Sequence, residues 1–143
     1  TISDLLLAYA VETSDGSEPL HPGDIVRNEL SISPAPWSVF NTEQPIHLYF
    51  ELYDLGLNAQ GRSDYEVEAT LRPKDKKGGF LGIGGSDKGV SVRFEGAGNS
   101  DVDNQSLIMD ATDQEPGLYK LAVKVHDRNS GKTVEQEQEL FLE

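Results

Sequence analysis

The sequence predicts an all-β fold, a β-sandwich of seven to eight antiparallel strands. Apolar and polar residues alternate with period two over most of the chain. Helical periodicity is nearly absent, and turn-forming residues punctuate the alternating runs. At 143 residues the chain is expected to be a single domain over 1–143, able to bury roughly two thirds of its unfolded surface.

Taken in order, Ile2 to Val11 is β-compatible, although Leu5-Leu6-Leu7-Ala8 also suits a helix start. Ile25 to Ile32 follows with Val26, Leu30 and Ile32 on one parity. Ile46, Leu48, Phe50 and Leu52 alternate with His47, Tyr49, Glu51 and Tyr53. Tyr65, Val67, Ala69 and Leu71 alternate with four mostly acidic neighbours. Val90, Val92 and Phe94 are interleaved with Ser91, Arg93 and Glu95. Ser106 to Ala111 is short and apolar. Tyr119, Leu121, Val123 and Val125 alternate with Lys120, Ala122, Lys124 and His126, and Val134, Leu140 and Leu142 share a parity at the end. Each run reads as a strand with one buried and one wet face. Asp15-Gly16, Pro22-Gly23-Asp24, Pro116-Gly117 and Asn129-Ser130-Gly131 supply turn chemistry, the last in a hairpin loop from Asp127 to Lys132. The runs from 46 and from 119 have the most regular apolar faces and are expected near the centres of two facing sheets. Pro116-Gly117-Leu118-Tyr119 has two readings: a tyrosine corner, whose hydroxyl bonds back to nearby backbone, or a plain core ring.

Composition removes several function classes. The net charge is −13, from 25 acidic against 12 basic side chains. A surface this negative repels phosphate backbones, so nucleic acid is not an expected partner. There is no cysteine, hence no disulfide, thiolate metal site or cysteine nucleophile. No apolar run reaches the 18 or so residues that a membrane-spanning helix needs. The acid excess suits solubility or, on a sharper reading, a high-salt habitat in which counter-ions screen self-repulsion. The chain opens at Thr1 without an initiator Met or a basic leader, as expected of a segment from a longer protein.

Three stretches carry a family resemblance. They are Ile2-Ser3-Asp4-Leu5-Leu6-Leu7-Ala8-Tyr9, Pro45-Ile46-His47-Leu48-Tyr49-Phe50-Glu51-Leu52-Tyr53-Asp54-Leu55, and Pro116-Gly117-Leu118-Tyr119-Lys120-Leu121-Ala122-Val123 running to Asp127 and Ser130-Gly131-Lys132. Together they resemble the carboxy-terminal β-sandwich region of bacterial GWxTD-domain proteins. The naming motif itself is absent; Trp37 stands in Pro36-Trp37-Ser38-Val39. The resemblance implies an immunoglobulin/fibronectin-like fold and a non-catalytic accessory module of a periplasmic or envelope protein. It carries over no catalytic residues. The expected partners are other domains of the parent chain or another protein.

Candidate sites are few. His21, His47 and His126 are the only histidines, none lies near a nucleophile motif, and they read as solvated strand residues. No catalytic residue, cofactor or metal is therefore expected. Gly78 to Gly89 holds six glycines, but a strand pattern follows it, so it lacks the helix start of a phosphate cradle. It reads as a long hairpin connection, whose Phe80, Leu81 and Ile83 either tuck against the sandwich or form a loop that binds a protein partner. Asp101, Asp103, Asn104, Asp110 and Asp113 supply hard oxygen donors of the kind Ca²⁺ prefers, without EF-hand spacing, and read as acidic turns. The alternative function is carbohydrate binding, with or without Ca²⁺, with Trp37, Tyr49 and Tyr53 as a stacking platform; the plainer reading of these rings is cross-strand aromatic pairing or cover from the amino-terminal segment.

Overall fold

The computed structural model describes residues 1–13, 25–27, 30–35, 38–74 and 89–143. Among these the chain is all β, with no α-helix, and no helix long and apolar enough to cross a membrane. Ten strands are present: β1 Leu6–Thr13, β2 Ile25–Arg27, β3 Leu30–Pro34, β4 Val39–Phe40, β5 Ile46–Leu52, β6 Ser63–Pro73, β7 Val90–Gly98, β8 Asp103–Met109, β9 Gly117–Asp127 and β10 Thr133–Leu142. They form two five-stranded sheets. The first has the order β2-β3-β1-β5-β8 and the second β4-β10-β9-β6-β7.

The expected count of seven to eight strands is too low. The stretch 25–32 is not one strand but two, which pair antiparallel with Ile25 opposite Ile32. Val39–Phe40 is too short to show a period, yet it pairs with the end of β10. That pairing is parallel, so the strands are not all antiparallel as expected. The amino-terminal ambiguity resolves to strand from Leu6, and Ile2 makes an isolated bridge to Leu52. β9 lies at the centre of its sheet, while β5 is one strand in from an edge.

Both sheets turn their apolar parity toward one core. Leu48, Phe50 and Met109 from the first sheet join Val67, Leu121 and Val123 from the second in one buried cluster. Burying each large side chain contributes roughly 1.5–3 kcal/mol, and the cost of ordering the backbone offsets much of it. The alternation is cleanest in β6 and β9. In β5 it breaks at Tyr49, which is buried from the other side with Ala8 and Ile32 in a second, smaller cluster.

Three polar fixtures tie the layers and ends. Tyr65 on β6 donates to Asp103 Oδ2 (2.6 Å) and accepts from Gln105 Nε2 (2.6 Å), both on β8 of the opposite sheet. Tyr119 is buried and its hydroxyl donates to the Glu115 carbonyl (2.6 Å), so both readings of that ring hold at once. The β9–β10 turn closes on Asp127, whose carboxylate accepts from the amides of Gly56 (2.7 Å) and Asn129 (3.1 Å). Gly131 completes that turn at φ 75°, a left-handed conformation that favours glycine.

Candidate interaction surface

A sheet ends in strands whose outer N–H and C=O groups have no ladder partner, and these groups are a template for another chain. In the first sheet the outer strands are β2, three residues long, and β8, seven residues long. In the second sheet the two-residue β4 borders β10 only at Phe141 and Leu142. The opposite boundary of that sheet is β7, nine residues long and paired only with β6 among the described residues.

Among the described residues, β7 lacks several of the usual guards. It contains no Lys and no Pro. Its register against β6 runs unbroken from Ser63 opposite Gly98 to Leu71 opposite Val90, without a bulge. Its inward row of Val90, Val92 and Phe94 packs against the core but stays partly exposed. Its outward row of Ser91, Arg93, Glu95 and Ala97 is exposed. Ion pairs fix the charged members. Arg93 donates to Glu68, with Nε–Oε2 at 3.1 Å, and Glu95 accepts from Arg128 Nη2 at 2.8 Å. Arg128 also reaches Asp64 (3.0 Å) and Glu66 (3.1 Å).

The adjoining boundary strand β8 adds apolar surface. Ile108 is 59% exposed on its outer face, and Val102 is exposed just before it. By contrast, the open part of β10 is lined outward by Glu135, Glu137 and Glu139. A second feature lies on the outer face of the second sheet, an open depression of about 270 Å³ whose lining includes Thr70 and Ala122. Arg72, Lys120 and Lys124 border it together with Glu68 and Glu135. Arg93 holds the Glu68 carboxyl below its ordinary range, chiefly by hydrogen bonding.

The residues singled out from sequence fare unevenly. Phe80, Leu81 and Ile83 lie outside the described residues, as do Trp37 and His21. Tyr53 is 38% exposed, but Tyr49 is only 4% exposed, because its ring belongs to the second cluster. Tyr49 therefore shows no open ring face for a sugar to stack on. Its hydroxyl donates to Glu51 Oε2 (2.7 Å), and Tyr53 donates to the other oxygen of that carboxylate. His47 is half-buried on the outer face of β5, and burial lowers its pKa. His126 Nδ1 lies 2.9 Å from Thr133 Oγ1. Among the described residues no three His, Asp or Glu side chains converge as a metal site. Asp103 is engaged by Tyr65 and Asp110 by the Thr112 amide (2.9 Å).

Arg93 and Glu95 carry no role in the sequence reading beyond a wet strand face. Their order along the strand was visible there. That the strand is a sheet boundary was not, because boundary position is a property of topology. No family model matches the chain, and no curated protein matches it.

Proposed function

We propose that the chain is an immunoglobulin/fibronectin-like, non-catalytic module that works by contact with other protein chains at an open strand boundary. The observation that carries this reading is β7, a nine-residue outer strand with no Lys, Pro or bulge to blunt it. The strand order supports the fold assignment. With β1, β5 and β8 as strands A, B and E, and β6, β7, β9 and β10 as C, C′, F and G, the sheets read A-B-E and C′-C-F-G. Tyr119, at the start of the F-like strand with its hydroxyl on a carbonyl four residues upstream, adds to that support. The β2–β3 hairpin beyond β1 is an addition to the basic plan. The likeness to the carboxy-terminal region of GWxTD-domain proteins supports reading the chain as one module of a longer bacterial envelope protein.

The test uses an edge guard. Val92→Lys puts a charge on the partly exposed inner row of β7, a device by which natural sheets discourage strand addition. The wild-type chain and the variant are immobilised and compared for the proteins they retain, and both are also applied to a glycan array. Expected is a protein partner whose retention falls at least ~10-fold on the variant, a loss of about 1.4 kcal/mol in affinity, with a cooperative melt preserved. Protein retention indifferent to Val92→Lys, or avid binding to polysaccharide, overturns the reading.

A further inference from the structure

We propose that β7 pairs antiparallel with β7 of a second copy of this chain, in the register that sets Phe94 opposite Phe94. The proposal rests on reading β7 as a contact surface and names the occupant.

The register follows from parity, charge and length. Two copies joined into one continuous sheet must keep their cores on the same side, so inward residues oppose inward residues. This leaves registers centred on a residue of β7. Centring on Arg93 sets Arg93 against Arg93, and centring on Glu95 sets Glu95 against Glu95. Like charges directly opposite one another are destabilising. Centring on Phe94 sets Arg93 opposite Glu95 of the second copy and Glu95 opposite its Arg93. Ser91 then faces Ala97, and Val92 faces Gly96, which has no side chain of its own and is covered by the Tyr65 ring. Phe94 is also the midpoint of Val90–Gly98, so this register alone pairs all nine residues. The strand is therefore self-complementary under a two-fold axis through Phe94, as a closed symmetric dimer requires. The partly exposed Val90, Val92 and Phe94 would be covered by their counterparts.

Other boundaries do not share this property. Centring β10 on Glu137 sets Glu135 against Glu139 and Glu137 against itself. Centring β8 on Ser106 sets Ile108 against Asn104 and matches no opposite charges. One strand pair makes a small interface, so the dimer is of the weak, concentration-dependent class. Two bodies of charge −13 also repel. The dimer therefore needs salt enough to shorten the screening length to ~8 Å, as at about 0.15 M.

Sedimentation equilibrium of the purified chain at about 0.15 M NaCl tests the pairing. The mass is expected to rise with concentration from 15.7 kDa toward twice that value. Arg93→Glu alone and Glu95→Arg alone each set like charges opposite one another, and each is expected to remain monomeric. Mixed in equal amounts, the two variants restore both opposite-charge pairs and are expected to recover the dimer. Register is read separately by cysteines, since the chain has none of its own. Under mild oxidation, Ser91→Cys mixed with Ala97→Cys is expected to give a cross-linked dimer, and neither variant alone. A wild-type chain that stays monomeric, reversals that still dimerise alone, or Ser91→Cys cross-linking to itself overturns the proposal. A monomer that still retains a different protein through β7 defeats this pairing while leaving the functional reading intact.

Discussion

Tyr65 and Gly96 form one unit at the scale of single residues. The Tyr65 ring is fully buried and lies across Gly96, where a Cβ would come within 2.3 Å of Tyr65 Cζ. The space that a side chain at 96 would need is occupied by the ring that bridges the sheets. Burial first, and the adjacent Asp103 second, push the Tyr65 hydroxyl above its ordinary pKa, with Gln105 pulling the other way, so the group remains a neutral donor to Asp103. Tyr65→Phe leaves the Asp103 and Gln105 groups without this partner and is expected to cost about 1.5–3 kcal/mol. Gly96→Ala must displace the ring and is expected to cost about 3 kcal/mol. The two costs are not additive, because a displaced ring has already lost its hydrogen bonds. Urea denaturation of the two single variants and the double variant checks this. Strict additivity would show that the ring and the glycine act separately.

At the scale of elements, the β9–β10 hairpin shows what alternation can and cannot reveal. Val134, Leu140 and Leu142 share the parity of the core, and Asn129-Ser130-Gly131 is explicit turn chemistry, so strands and turn were both legible. The β2–β3 hairpin was hidden because Val26, Leu30 and Ile32 keep one parity across a reversal of direction. Tyr49 stands on the outward parity read from the sequence, and Ala8 and Ile32 bury it there. Period two assigns a residue to a face, but not what covers that face. Likewise, Arg93 and Glu95 read as wet, and only the sheet order makes them boundary residues. Asp127, at the start of the turn, was legible as a turn residue but not as a buried acceptor. Burial raises its pKa, yet the hydrogen bonds from Gly56, Ser130 and Asn129 together outweigh that and hold it below its ordinary value. An unfolded aspartate takes up its proton near ~3.9. Below that pH the unfolded chain binds more protons than the fold, so this stabilisation is present above the unfolded pKa and lost as pH falls through the folded one. Asp127→Asn is expected to cost about 1–3 kcal/mol at pH 7. Its melting curve should converge on the wild type as pH drops below about 4. A gap constant from pH 7 to pH 3 would show that the charge does not matter.

For the whole molecule, the decisive quantity is how the charge of −13 is laid out. Cations gather on the outer face of the second sheet, where Arg128 serves Asp64, Glu66 and Glu95, Arg93 serves Glu68, and Lys120 lies 3.1 Å from Glu137. These pairs are exposed, and exposed pairs contribute little each. The uncompensated acids, by contrast, repel across the entire surface, and that repulsion acts on the folded state more than on an expanded chain. Salt weakens both effects, but the long-range one loses more, because the screening length falls from ~30 Å at 0.01 M to ~3 Å at 1 M while the paired atoms remain in contact. Adding NaCl from about 10 mM to about 0.5 M is therefore expected to raise the melting temperature by several degrees. Chloride is the salt to use, because sulfate would also strengthen apolar burial and confound the result. The measurement belongs at a protein concentration low enough to keep the chain monomeric, since dimerisation through β7 would stabilise it by mass action. Under those conditions a melting temperature that falls with NaCl would mean that the Arg128 and Arg93 networks outweigh the net charge, and would remove the high-salt reading of the acid excess.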